Sequence, residues 1–106
     1  MPKFLVQFSY TAQGVQGLLK DGGSKRRDVA AALAESLGAK LEAYYYTFGD
    51  TDGFGIIDGP DNVTAAAASL IISSTGAVAT KTIVLLTPEE IDAACQKSGK
   101  YSPPGQ

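Results

Sequence analysis

Residues 44–60 read YYYTFGDTDGFGIIDGP. An aromatic run, Tyr44, Tyr45, Tyr46 and Phe48, enters a cluster of glycine, aspartate and threonine at residues 49–53. The apolar run Phe54, Ile56 and Ile57 leaves it and stops at Gly59-Pro60. Aromatic and β-branched side chains suit a pleated, half-buried surface, whereas glycine and aspartate take up the conformations that reverse a chain. The stretch therefore predicts a β-hairpin, its turn about four or five residues long rather than the tight two-residue type. The remaining sequence is expected to cover this hairpin.

The flanking segments supply elements in an order that restricts the fold class. Residues 3–10, KFLVQFSY, alternate as a strand, with Phe4, Val6, Phe8 and Tyr10 on one face and Leu5, Gln7 and Ser9 on the other. Thr11 caps a short helix with Val15, Leu18 and Leu19 at helical spacing. Asp21-Gly22-Gly23 interrupts it, and Ser24 is expected to restart it as N-cap. The second piece carries Val29, Ala30, Leu33, Ala34 and Leu37 along one stripe and ends at Gly38. Residues 39–48 and 53–58 are the hairpin strands. Asp61 caps an alanine-rich helix reaching about Thr75, with Gly76 as its stop. Residues 77–87 read as a fourth strand, and Thr87 with Glu90 forms a capping box with Pro88 at the first helical position. A short helix through Cys95 follows, then an extended tail over residues 98–106 containing Pro103-Pro104-Gly105.

The order β-α-β-β-α-β over residues 1–97 predicts one α+β domain: a ferredoxin-like fold with a four-stranded antiparallel sheet and its helices on one face. The other face should then alternate apolar with polar residues if water covers it. It does not. The fourth strand offers Val78, Val84 and Leu86 on one side and Ala79, Ile83 and Leu85 on the other. The second offers Tyr44, Tyr46 and Phe48 against Leu41, Ala43 and Tyr45. A second copy of the chain is the economical cover, so the expected assembly is a homodimer, or a higher homo-oligomer, with two sheets face to face as a dimeric α+β barrel.

Composition narrows the function. A net charge of −2 on 106 residues favours neither nucleic acid nor an anionic membrane as partner. No basic-then-apolar leader and no apolar run near the roughly 18 residues of a membrane span is present, so a cytoplasmic location is expected. The single cysteine, Cys95, reads as a small buried apolar group rather than a reactive thiol. Histidine is absent, which removes the commonest general base and neutral metal ligand and excludes serine-histidine and cysteine-histidine hydrolase arrangements. No metal or cofactor is expected.

Several blocks in order carry a family resemblance: QFSYTAQGVQGLLKDGGSKRRD from Gln7 to Asp28, YYYTFGDTDGFGIID from Tyr44 to Asp58, Pro60-Asp61-Asn62, TGAVATKT from Thr75 to Thr82, LLTPEEIDAA from Leu85 to Ala94, and YSPPG from Tyr101 to Gly105. The sequence resembles the GYD domain family, small and mostly bacterial proteins of uncertain function. The resemblance implies a ferredoxin-like fold of the dimeric α+β barrel type, whose members include small monooxygenases, stress-related proteins and ligand-binding modules. Fold alone therefore does not choose among them. The family pattern places a tyrosine before the aspartate of the hairpin turn. Here Gly49 and Asp52 match it, and Thr51 stands at the tyrosine position.

Candidate site residues follow from side-chain chemistry. Asp50 and Asp52 flank the turn. Two carboxylates are a thin ligand set for a cation that takes six to eight oxygens, and aspartates ordinarily close turns through the backbone. Tyr10, Tyr44 and Tyr46 combine an aromatic body with a polar tip, which suits a pocket wall as well as a core; Tyr45 must point opposite to its neighbours. Asp58 is in phase with Phe54 and Ile56, and Lys81 with Ala79 and Ile83. If one cavity held both, Lys81 and Asp58 would orient an anionic or carbonyl group. Ser24, Arg26 and Arg27, at a helix start after two glycines, are the candidate anion site, although a solvated helix start is the ordinary reading. A ligand pocket is expected beside the hairpin, bounded by the first and fourth strands. The favoured reading is an oligomeric binding or stress-response module with a modest apolar pocket for a small organic ligand. The alternative is a cofactor-free enzyme of the small-monooxygenase or isomerase kind.

Overall fold

The alternating residues of KFLVQFSY build the strand around which the others assemble. In the computed structural model, which describes residues 2–106, β1 (Lys3–Tyr10) pairs antiparallel with β3 (Gly53–Asp58) on one side and with β4 (Val78–Leu85) on the other. β2 (Lys40–Tyr46) adds to the far edge of β3, giving the order β2-β3-β1-β4. Helices α1 (Ala12–Asp21) and α2 (Gly23–Ser36) connect β1 to β2, α3 (Asn62–Ser73) connects β3 to β4, and α4 (Pro88–Cys95) follows the last strand. This is the ferredoxin-like α+β arrangement, with a four-stranded antiparallel sheet. Within one chain the sheet is open, not closed into a barrel.

Local chemistry sets the helix starts. The hydroxyl of Thr11 accepts the Gly14 N–H, the Asp61 carboxylate accepts the Thr64 N–H, and Thr87 exchanges both bonds of a capping box with Glu90. One expected cap is corrected: Ser24 lies inside the first turn of α2, and Gly22 is the N-cap. Gly22 has φ +84°, a conformation that side chains disfavour. Its N–H closes α1 on the Leu18 carbonyl at 2.8 Å, and its own carbonyl accepts the Arg26 N–H at 3.3 Å, so one residue ends one helix and opens the next.

Register sorts the two faces of the sheet. Facing the helices, Phe4 lies between Ile57 and Val84, Val6 between Gly55 and Thr82, and Phe8 between Gly53 and Thr80. On the open face the same strands align Asp58, Lys3 and Leu85, then Ile56, Leu5 and Ile83, then Phe54, Gln7 and Lys81. In β2 the alternation is broken. The register shifts between Leu41 and Ala43, a bulge that places Glu42 as the extra residue. Leu41 therefore joins Tyr44 in the cavity on the helix side, not Ala43 and Tyr45 as strict alternation predicts. Phe4, Phe8 and Ala34 form the buried centre. α1 is drawn tight to the start of β4, where Ala77 O accepts the Thr11 N–H at 3.0 Å, and the Ser69 and Thr82 hydroxyls join α3 to β4 at 2.9 Å.

The C-terminal segment stands apart. Residues 86–106 are exposed throughout, and α4 packs against no other element to a substantial degree, so Cys95, expected to be buried, is exposed instead. The radius of gyration is 17.0 Å, against about 13 Å for a compact domain of roughly this length. No described helix is long and apolar enough to cross a membrane.

Candidate functional site

The glycines of β3 open the site. Gly53 and Gly55 face the helices opposite Phe8 and Val6, so that strand contributes no side chain to the floor there. A Cβ on Gly53 would come within 2.3 Å of the Phe8 ring and 2.6 Å of the Tyr45 carbonyl. Phe8 occupies this space and stacks on Tyr44 with ring centroids 5.1 Å apart and an angle of 21°. Tyr10 and Tyr46 meet Phe8 edge-on at 5.6 and 5.9 Å, and Tyr46 meets Tyr44 edge-on at 5.5 Å. These offset and edge-to-face geometries are the ones aromatic quadrupoles favour.

Between this aromatic cluster and helices α2 and α3 lies a cavity of about 110 Å³. Its walls include Val6, Leu33, Leu41, Ile57 and Ile72, together with Tyr10, Tyr44 and Arg26. A groove of about 460 Å³ bounded by Gln13, Gly17, Asp21 and Thr75 adjoins it, and the two share Tyr10, Arg26, Val29, Leu33, Ile72 and Val78 as walls. The cavity thus opens outward between α1, α2 and α3.

The phenols are held neutral. Burial raises Tyr44 well above the ordinary tyrosine value, and its hydrogen bond with Tyr10 adds to this. Burial raises Tyr10 as well, helped by a hydrogen bond with Tyr46 and opposed by the nearby positive charge of Arg26. The Tyr46 hydroxyl donates to the Gly23 carbonyl at 3.2 Å, fixing the start of α2 against β2. Near neutral pH the Tyr10 and Tyr44 hydroxyls are hydrogen-bond donors and acceptors, not bases.

Of the candidate residues, the structure gathers Tyr10, Tyr44, Tyr46 and Arg26 at this cavity and its edge. Arg27 pairs with Asp28 at 3.3 Å and Ser24 is exposed, so the basic cluster divides and Arg26 alone turns to the cavity. Asp58 and Lys81 lie on the opposite, open face. They occupy rows four residues apart along β1, about 13 Å at 3.3 Å per residue, so they do not share a cavity. Asp58 stands 3.9 Å from Lys3, which also bonds Glu42, and Lys81 is exposed. Phe8, Leu33, Gly53 and Gly55 complete the site and were not singled out in the sequence. The available signal was glycine on alternate positions inside a strand, which marks a place where something else approaches the backbone closely.

The hairpin turn is used structurally. The Asp52 carboxylate accepts the Tyr10 N–H at 2.7 Å, and its N–H donates to the Phe8 carbonyl at 2.9 Å. The Thr51 hydroxyl lies 3.1 Å from the Phe8 carbonyl and 2.9 Å from that of Gly53. The turn is thereby sewn to the end of β1. Among the described residues no group of three or more potential ligands from histidine, cysteine, aspartate and glutamate converges on a point.

The GYD domain family model matches residues 4–95. The chain belongs to the GYD domain family. That match runs from the second residue of β1 to the last residue of α4, so all of the sheet but Lys3, and the cavity of this GYD domain, lie within it. No match was found among curated proteins or among solved structures.

Proposed function

We propose that this GYD domain is a small-ligand binding module, with the cavity between its sheet and helices as the site, and that it works as a homodimer through the open face of the sheet. The cavity carries the reading: apolar walls interrupted by a few polar side chains, here Tyr10, Tyr44 and Arg26, are what small-molecule sites need. Binding is favoured over acid–base chemistry because burial keeps Tyr10 and Tyr44 protonated, and because Asp58 and Lys81, the pair that would have supported catalysis, stand apart on the other face. The dimer is supported by Leu5, Phe54, Ile56 and Leu85 on an otherwise uncovered face, with Tyr45 there 62% and Ile83 36% exposed.

Ligand binding is tested by thermal melting of the chain with pools of small organic compounds, followed by backbone amide shifts in NMR. A compound at 100 times its dissociation constant adds about 2.7 kcal/mol of stability. The expected result is a raised Tm with shifts concentrated at Val6, Leu33, Tyr44 and Gly55. Hits whose shifts map to the open face of the sheet instead would place the site elsewhere.

A further inference from the structure

We propose that the ligand of this cavity is a single-ring carboxylate, its ring among the aromatic and aliphatic walls and its carboxylate on the guanidinium of Arg26. The inference rests on the cavity being a ligand site and specifies what it accepts. Size comes first. Roughly 10–15 Å³ of such volume holds one water, so about 110 Å³ has room for a ring-sized molecule. Shape comes next. The rings of Phe8, Tyr10 and Tyr44 all line the cavity, which gives a flat ring aromatic surface to pack on.

Charge decides the class. Arg26 is the one charged residue among the cavity walls. Its guanidinium lies 3.6 Å from the Asp21 carboxylate, which also stands 3.7 Å from Lys25. Two cations share one carboxylate, which leaves one positive charge for a ligand to balance. The 3.6 Å separation is longer than a charge-assisted hydrogen bond of about 2.7–2.9 Å, and a guanidinium has five donors. It can therefore take a second carboxylate. A monoanion fits this balance, an amine is repelled by Arg26, and a dianion is over-charged for walls that are otherwise apolar. Arg26 belongs to both the cavity and the adjoining groove, so the carboxylate sits toward the opening and the ring points inward.

The test titrates benzoate, benzamide and benzylamine into the full chain, following amide shifts at Val6, Leu33 and Tyr44. Benzoate is expected to bind about tenfold or more tightly than benzamide, the factor that a charge-assisted bond supplies, and benzylamine more weakly than both. Arg26→Gln should remove the preference by bringing benzoate down to about the affinity of benzamide, and Asp21→Asn, which removes a competing carboxylate, should tighten benzoate relative to benzamide. The second variant keeps the test decisive if the first folds poorly. Equal affinity for benzoate and benzamide, or a preference that survives Arg26→Gln, overturns the carboxylate assignment and leaves the cavity as a site for neutral rings. Absence of binding by all three probes overturns the single-ring assignment, and the compound pools then decide separately whether the cavity binds a ligand at all.

Discussion

Gly14 and Gly17 sit about one turn apart in α1 and meet opposite surroundings. A Cβ on Gly14 would lie 2.0 Å from the Ala77 carbonyl oxygen, whereas one on Gly17 would meet nothing within 4 Å. Alanine at Gly14 must push α1 off the start of β4, and overpacking of that kind costs about 1–3 kcal/mol. Alanine at Gly17 relieves the conformational entropy of a helical glycine and should stabilise by up to about 1 kcal/mol. Urea unfolding of the two variants checks this, and shifts of the same sign would refute the packing described for α1. The tyrosines give a second expectation at this scale. Tyr10 and Tyr44 keep their protons in the folded chain above the ordinary value near 10. Above about pH 10 the unfolded chain releases protons that the folded chain retains, so the stability they confer is whole below that pH and falls as pH rises beyond it. The melting temperature should therefore drop between pH 10 and 12, and Tyr44→Phe should flatten the drop. An equal slope in both proteins would show that Tyr44 is not held neutral by the fold.

At the level of elements, much of the architecture is legible in residue order and punctuation. Thr11, Asp61 and the Thr87–Glu90 box announce three helices because each cap is a bond between neighbours in sequence. The strands declare themselves through alternation. What escaped depends on register. The bulge at Glu42 moves Leu41 to the face of Tyr44, and no residue type there signals it. The phase of Asp58 and of Lys81 within their own strands leaves open whether they meet, because their separation is set by which rows of β1 they oppose. The cavity exists because two glycines of β3 fall opposite Phe8 and Val6, a coincidence between segments far apart in the chain. Ser24 misled because Gly22, two residues earlier, can take a conformation that serine avoids.

For the whole molecule, the proposed dimer explains two features that one chain leaves open: the apolar belt across the uncovered sheet face and the exposure of residues 86–106. α4 has 8 residues, and isolated helices shorter than about 12–15 residues are marginal in water. A neighbouring copy is the natural support for it. Light scattering should return twice the 11.0 kDa of one chain. Ile83→Asp, which would bury an unpaired charge between the sheets, should yield monomer or aggregate, and truncation after Leu85 should weaken the dimer. A wild-type monomer at micromolar concentration, or an unchanged dimer in Ile83→Asp, would remove the sheet face from the interface. The strand order has a consequence for synthesis. β1 is made first but completes its pairing only with β4, Lys3 meeting Leu85 and Tyr10 meeting Val78. At roughly 5–20 residues per second on the ribosome, the N-terminal strand waits several seconds with one edge unpaired. During that interval the nascent chain presents the template for strand addition that chaperones shield and aggregation exploits.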